Sequence, residues 1–165
     1  MALLMAAVYL CIELKGIFPK GSENRDLIKQ WHFMLGLSVF FIVWLRLVLN
    51  VLMPTPKIVP SIPVWQAIPA KIMHIALYAL MIALPLMGWI MLSASGKPSI
   101  PFFGLDLPPL VEGGNRALGQ QMHHWHELLG QVGYWLIGLH AVAGLFHHYI
   151  SRDNTLIRML PEKKS

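Results

Sequence analysis

The sequence predicts an all-α integral membrane protein, a four-helix transmembrane bundle with a shortened first helix. The chain has 165 residues, a mean hydropathy of +0.56 and only 13% charged residues, which is too apolar for a soluble domain of this size. Three apolar stretches are long enough, at about 20 residues or more, to cross a hydrocarbon core of about 30 Å. Polar connections rich in Pro and Gly separate these stretches. The lipid bilayer is therefore the expected partner, and no basic stripe of the kind that binds nucleic acid is present.

We predict helices at about residues 1–14, 28–53, 66–94 and 121–151, within a single domain over residues 1–165. The first apolar stretch, Met1 to Ile12, would be only about 18 Å long as a helix, so it cannot cross the membrane alone. We expect it to be the remainder of a helix whose beginning is missing through a misplaced start codon or a truncated chain. The alternative is an interfacial or half-spanning helix. Pro85 is expected to kink the third helix.

The distribution of Lys and Arg weakly predicts the orientation. The second loop, its flanks and the tail carry seven basic residues, and the first and third loops carry six. Because cytoplasmic segments are enriched in basic residues, the second loop and the C-terminus are expected in the cytoplasm.

Histidines in the last helix indicate metal centres. Six of the eight histidines lie between His123 and His148. His126 and His140 are 14 residues apart, so both rings leave one helix face, roughly 21 Å apart along the axis. Buried imidazoles are good axial ligands for haem iron, and two depths suggest two stacked haems that pass electrons. Gly130 and Gly133 lie on the same stripe, where a missing side chain leaves room for a flat macrocycle.

The second and third helices repeat this spacing. His32 and Gly36 share a face of the second helix, and Arg46 follows His32 by 14 residues, where its guanidinium could pair with a haem propionate. On the third helix, Gly88 follows His74 by the same 14 residues. The single cysteine excludes an internal disulfide, and without a Cys-x-x-Cys-His motif any haem is held non-covalently.

Simpler interpretations stay open for these residues. His74 or His124 could be an interhelical hydrogen-bond partner, and glycine-rich faces often mean close helix packing. His123, His124 and His126 could form a surface zinc or copper site. Arg46 could extend its charge to the membrane interface.

Short stretches across nearly the whole chain resemble one family. They are Trp31-His32, Pro54-Thr55-Pro56, Ala83-Leu84-Pro85, Trp125-His126-Glu127, Gly133-Tyr134, Gly138-Leu139-His140, His147-His148-Tyr149 and Asp153-Asn154-Thr155-Leu156. They are similar to the bacterial cytochrome b561 family of four-helix, di-haem cytochromes in the inner membrane, which includes superoxide oxidase.

The resemblance implies ligands for two haems b. His32 and His126 would bind the outer haem iron, and His140 would bind the inner one. In the family, the partner of this last ligand is a histidine early in the first helix, and the present sequence has none before His32. The inner haem is then lost, or it is five-coordinate, or His74 substitutes for the missing ligand.

The resemblance also implies an activity, namely oxidation of superoxide at the outer face and reduction of ubiquinone in the membrane. Quinone reduction needs protons, and His147, two turns after His140 on the same face, is our candidate catalytic residue, with His148 as the second choice. Two alternatives remain: a cytochrome b subunit that anchors a hydrogenase or dehydrogenase, and a non-redox membrane protein that binds a metal. A homo-oligomer is compatible with each of them.

Overall fold

The computed structural model describes residues 1–53 and 58–157 of the chain. Its elements, in chain order, are the helices and strands α1 (Ala2–Lys15), α2 (Glu23–Leu52), α3 (Val64–Ala94), β1 (Ile100–Phe102), β2 (Leu105–Leu107) and α4 (Arg116–Tyr149). The four predicted helices are therefore present. The Pro54-Thr55-Pro56 stretch and the end of the tail lie outside the described residues.

α2 and α4 each begin five residues earlier than predicted. Their first turns and capping residues lie in polar sequence, which a prediction based on apolar residues does not include. The hydroxyl of Ser22 accepts a hydrogen bond from the Arg25 amide at 3.4 Å at the start of α2. The side chain of Asn115 accepts from the Leu118 amide at 3.0 Å at the start of α4. Such caps satisfy amides that have no partner within the helix.

In the described part of the chain, three helices have the length and composition of membrane spans. They are α2, α3 and α4, with 30, 31 and 34 residues. α3 runs through both Pro69 and Pro85 as one helix. α1 has 14 residues and extends about 21 Å, which is shorter than the hydrocarbon core. The structure thus supports three spans and a shorter first helix.

A β-hairpin interrupts the long loop between α3 and α4, for which the sequence indicated only a polar connection rich in Pro and Gly. Its two turn residues, Phe103 and Gly104, have φ angles of 47° and 84°, as a two-residue turn of this hand requires. Ile100 on β1 is fully buried and packs against Leu37 and Leu92. The hairpin therefore covers one end of the contact between α2 and α3.

The helices pack in sequence order, α1 on α2, α2 on α3 and α3 on α4. Tyr9 links α1 to α4, since its hydroxyl donates to the Gly130 carbonyl at 3.1 Å and its ring lies 4.3 Å from that of Tyr134. The Tyr134 hydroxyl in turn donates to Glu13 at 2.5 Å. The outward faces are apolar, with Trp135 82% exposed, as expected for contact with lipid.

Candidate functional site

The structure brings His32 and His126 together in the interior of the bundle. His32 lies in the third turn of α2 and His126 in the third turn of α4, so the two parallel helices place the rings at one depth. The ring centroids are 6.1 Å apart, and the ring planes make an angle of 78°. We call this end of the molecule the His126 end.

Both imidazoles are held by backbone carbonyl groups. Nδ1 of His32 lies 3.0 Å from the Val8 carbonyl oxygen, and Nδ1 of His126 lies 2.9 Å from that of Leu84. A carbonyl oxygen can only accept, so each Nδ1 carries the proton and donates it. Each Nε2 is then unprotonated and free to bind a metal, which is how metal-binding histidines are usually oriented.

A cavity of about 560 Å³ adjoins this pair and is lined by all four helices. Its volume is within the range of about 300–1,000 Å³ that cofactor sites occupy. Gly36 and Gly130 line it, and a Cβ added at either glycine would have no atom within 4 Å. Gly88 also lines the cavity, where an added Cβ would lie 3.5 Å from Cε1 of His126. The cavity therefore has open space at Gly36 and at Gly130, and Gly130 is one of the two glycines at which the sequence predicts room for a macrocycle.

These residues fit a haem held by two axial imidazoles. With metal–imidazole bonds of about 2 Å and a ring radius of about 1 Å, two rings on one iron have centroids about 6 Å apart. The separation of 6.1 Å matches this value.

Gly133 has a different environment from Gly130. It is buried, and the hydroxyl of Tyr9 occupies the position that a Cβ would need. It is not part of the lining of the cavity beside His126. The structure therefore places Gly133 in the contact between α1 and α4. The sequence does not reveal the role of Tyr9, because a tyrosine in an apolar helix carries no signal of its partner.

A second pair of histidines lies toward the opposite end of α3 and α4. The ring centroids of His74 and His140 are 5.3 Å apart, with an angle of 71°, and both residues are exposed. Nearby, the Tyr78 hydroxyl accepts hydrogen bonds from Arg46 Nε at 3.0 Å and from Asn50 at 2.6 Å. Because two donors occupy the lone pairs of Tyr78, its own O–H remains available to a further acceptor.

His147, in the last turn of α4, forms a pair with Asp153, which follows the helix. We call this end of the molecule the His147 end. Nδ1 of His147 lies 2.8 Å from Oδ2 of Asp153, whose side chain is 1% exposed. Desolvation raises the pKa of Asp153, but hydrogen bonds from Thr155 and His147 lower it by more, so the pKa lies below its ordinary value. The neighbouring His148 has a buried Nδ1 with no hydrogen-bond partner among residues 1–53 and 58–157.

The remaining histidines lie on the surface of α4. His123 and His124 are exposed, and His123 lies 4.0 Å from Glu127. Among residues 1–53 and 58–157, no group of three or more His, Cys, Asp or Glu side chains is arranged to hold a metal ion. The zinc or copper site considered from the sequence therefore has no matching ligand group in that part of the chain.

Charged side chains surround the mouth of the cavity at the His126 end. Lys15 and Lys29 line it together with Glu13 and Glu127. Lys29 is paired with Asp26 at 2.7 Å. The Arg25 guanidinium donates to the carbonyl groups of Lys15 and Phe18 at the end of α1. Within the described part of the chain, Lys15 is thus the lining base that forms no ion pair.

Comparisons with known proteins agree with these features. Residues 1–162 match the family described as prokaryotic cytochrome b561. The chain is 41% identical to cytochrome b561 homolog 1 of Escherichia coli (strain K12), over 98% of this chain and 91% of that protein. It is 36% identical to the probable superoxide oxidase CybB of Yersinia pestis, over 98% and 90%. It is 31% identical to cytochrome b561 homolog 2 of Escherichia coli (strain K12), over 82% and 72%. The chain therefore belongs to the prokaryotic cytochrome b561 family, the haem-binding membrane proteins of electron transport.

Proposed function

We propose that this cytochrome oxidises superoxide at the His126 end and reduces ubiquinone within the bacterial inner membrane. In this proposal the His126 end is the outer one, and the C-terminus lies in the cytoplasm. The similarity to a probable superoxide oxidase supports the substrate. The arrangement of His32 and His126 supports the electron-transfer site.

The observation that carries the proposal is the state of the two imidazoles. Both rings donate Nδ1–H to backbone carbonyl groups, and their centroids are separated by the distance that one shared iron requires. His32 and His126 would hold a haem b through Nε2, with Gly36 and Gly130 leaving space for the ring. A b-type haem supplies reversible one-electron exchange when it is bound.

The overall reaction balances with two superoxide anions for each quinone. Each superoxide loses one electron and leaves as O₂, and the quinone gains two electrons and two protons to become quinol. Superoxide is an anion, so the positive charge of Lys15 at the mouth of the cavity would raise its local concentration. Oxidation of superoxide releases no proton, so protons are needed only at the quinone.

The pair His74 and His140 would hold a second haem b at the inner depth, with Arg46 beside a propionate. The 5.3 Å between the centroids is shorter than the distance of about 6 Å for two imidazoles on one iron. If both imidazoles held the haem, their rings would therefore have to move apart. His140 alone would hold it without that change.

Protons for quinone reduction would come from the His147 end. His147 is the candidate proton donor because its Nδ1 is fixed by Asp153, so Nε2 is left for exchange. His148 is the second candidate, since its buried Nδ1 has no partner in the described residues.

The experiment compares His32→Ala and His126→Ala with the original protein, purified in detergent. We expect a Soret band and a reduced α-band in the original protein, and loss of the outer-haem signal in both variants. Superoxide generated enzymatically should drive ubiquinone reduction by the original protein, with two superoxide consumed per quinol, and this reaction should stop in both variants.

His124→Ala is the matched control, because it removes an exposed histidine from the same helix. It should keep the spectrum and the activity. A haem-containing protein that does not react with superoxide but co-purifies with an iron–sulfur partner would contradict the proposal. It would favour the alternative of a cytochrome b subunit that anchors a hydrogenase or dehydrogenase. A colourless protein would contradict haem binding itself.

A further inference from the structure

We propose that Asp153 is a positioning residue for quinone reduction. It holds the His147 imidazole in the tautomer that carries a proton on Nδ1, so that Nε2 can take up and deliver protons. This inference rests on the proposed function, because it assigns a second residue to the same proton-delivery step.

Both oxygens of the Asp153 carboxylate are bonded. Oδ2 lies 2.8 Å from His147 Nδ1, and Oδ1 accepts from the Thr155 amide at 2.9 Å. The Asp153 amide also donates to the His147 carbonyl at 3.1 Å. The two residues are therefore joined through both backbone and side chain, so the carboxylate has little freedom to turn away from the imidazole.

The segment 153–156, which we call the tail strap, is itself anchored to the loop between α2 and α3. The Val59 amide donates to the Asn154 side chain at 2.9 Å, and the Asn154 amide donates to the Val59 carbonyl at 3.1 Å. Leu156 lies over α4, where a Cβ added at Gly144 would be 3.7 Å from it. The carboxylate is thus placed by contacts that do not involve His147.

The chemistry follows from the direction of the hydrogen bond. An ionised carboxylate only accepts, so Nδ1 of His147 must be protonated, and the neutral ring carries its lone pair on Nε2. Nε2 would take a proton from water at the His147 end and transfer it to a quinone oxygen as the quinone is reduced. Nδ1–H stays bonded to Asp153 throughout, so one proton enters and one leaves for each electron delivered. A carboxylate that fixes the tautomer of a catalytic histidine acts in this way in other enzymes.

The test replaces Asp153 by Asn, which keeps the size but can offer an amide N–H to Nδ1 and so favour the wrong tautomer. We expect superoxide-driven haem reduction to stay within about twofold, while haem reoxidation by ubiquinone slows by at least about tenfold. The ¹⁵N signals of histidine in the reduced protein, assigned with His147→Ala, should report the Nδ1–H tautomer in the original protein and its loss in Asp153→Asn.

Two controls separate positioning from a structural role. Asp106→Asn makes the same chemical change on the exposed hairpin and should alter neither rate. Asn154→Ala weakens the attachment of the tail strap to Val59 but keeps the carboxylate, and it should retain the tautomer and most of the quinone rate.

Each failure has a distinct signature. An Asp153→Asn protein with the original tautomer and the original quinone rate overturns this inference and leaves the proposed function standing. Equal loss of rate in Asp153→Asn and Asn154→Ala, with the tautomer unchanged in both, also overturns it and assigns the pair a structural role. If the original protein does not transfer electrons from superoxide to quinone, the proposed function fails, and the inference fails with it.

Discussion

At the scale of single residues, the candidate site depends on two carbonyl groups that orient the imidazoles and on two glycines that leave space beside them. The Nδ1 bonds to Val8 and Leu84 fix the imidazoles, and the missing side chains at Gly36 and Gly130 keep the space beside them free. In the proposed haem site, the orientation of the ligands and the space for the cofactor would thus come from different residues. They can be tested separately.

Gly130→Leu should fill the cavity and exclude the haem between His32 and His126. Gly130 lines the cavity, and an isobutyl group at this position would extend into its open space. The expected result is a fall of several-fold in outer-haem content, measured from the Soret absorbance per protein, with the helix content unchanged by circular dichroism.

Gly138→Leu is the control for Gly130→Leu. Gly138 lies on the same helix, also has nothing within 4 Å of an added Cβ, and is not part of the cavity lining. The change in helix propensity is the same, so Gly138→Leu should keep its haem. Normal haem content in Gly130→Leu would show that the macrocycle does not use this cavity.

At the scale of elements, the sequence could predict the features that repeat along a helix. Hydropathy identified α2, α3 and α4. The 14-residue spacing placed His126 and His140 on one face of α4, and each of these rings lies near a second histidine, His32 or His74. The hairpin formed by β1 and β2 was missed, because three-residue strands have too few residues for an alternating pattern.

Contacts between helices also could not be predicted from the sequence. Gly130 and Gly133 share a stripe, yet a Cβ added at Gly130 would enter open space, whereas a Cβ added at Gly133 would meet the Tyr9 hydroxyl. This difference depends on where α1 lies, and no periodicity in α4 carries that information. The Nδ1 acceptors were missed for the same reason, since every residue has a carbonyl group.

Gly133→Ala should weaken the contact between α1 and α4. Its methyl group would occupy the position of the Tyr9 hydroxyl, so Tyr9 must move and lose its hydrogen bond to the Gly130 carbonyl. The expected cost is about 1 kcal/mol for the bond, with a further contribution from disturbed packing. A lower midpoint for thermal loss of the Soret band would measure it.

Tyr9→Phe provides the second arm of a double-mutant cycle with Gly133→Ala. Tyr9→Phe removes the hydroxyl that the new methyl group would meet, so adding Gly133→Ala to it should cost less than Gly133→Ala alone. Strictly additive effects of the two substitutions would argue against this contact.

At the scale of the whole molecule, the two ends differ in chemistry. The His126 end opens to a cavity bordered by Lys15 and Lys29, with no titrating donor required for superoxide oxidation. The His147 end carries the imidazole–carboxylate pair and the tail strap. This polarity is what an electron carrier needs if an anion reacts at one end and protons are consumed at the other.

If the proposed direction of transfer is correct, charge at the mouth should affect only the superoxide step. Lys15 and Lys29 both line the cavity, but the charge of Lys29 is neutralised in part by its ion pair with Asp26. Replacing Lys15 in Lys15→Gln should therefore lower the rate of haem reduction by superoxide. The reduction should be several-fold at low ionic strength and should fade above about 0.15 M salt, because screening shortens the range of the field to about 8 Å. Stopped-flow measurement of haem reduction at increasing salt concentration would detect this change, and haem reoxidation by ubiquinone should be unchanged.

Lys97→Gln is the control for Lys15→Gln. It removes an exposed base at the same end that does not line the cavity, so it should have a smaller effect. Equal effects of the two substitutions would mean that net charge, rather than the lysine at the mouth, attracts the anion.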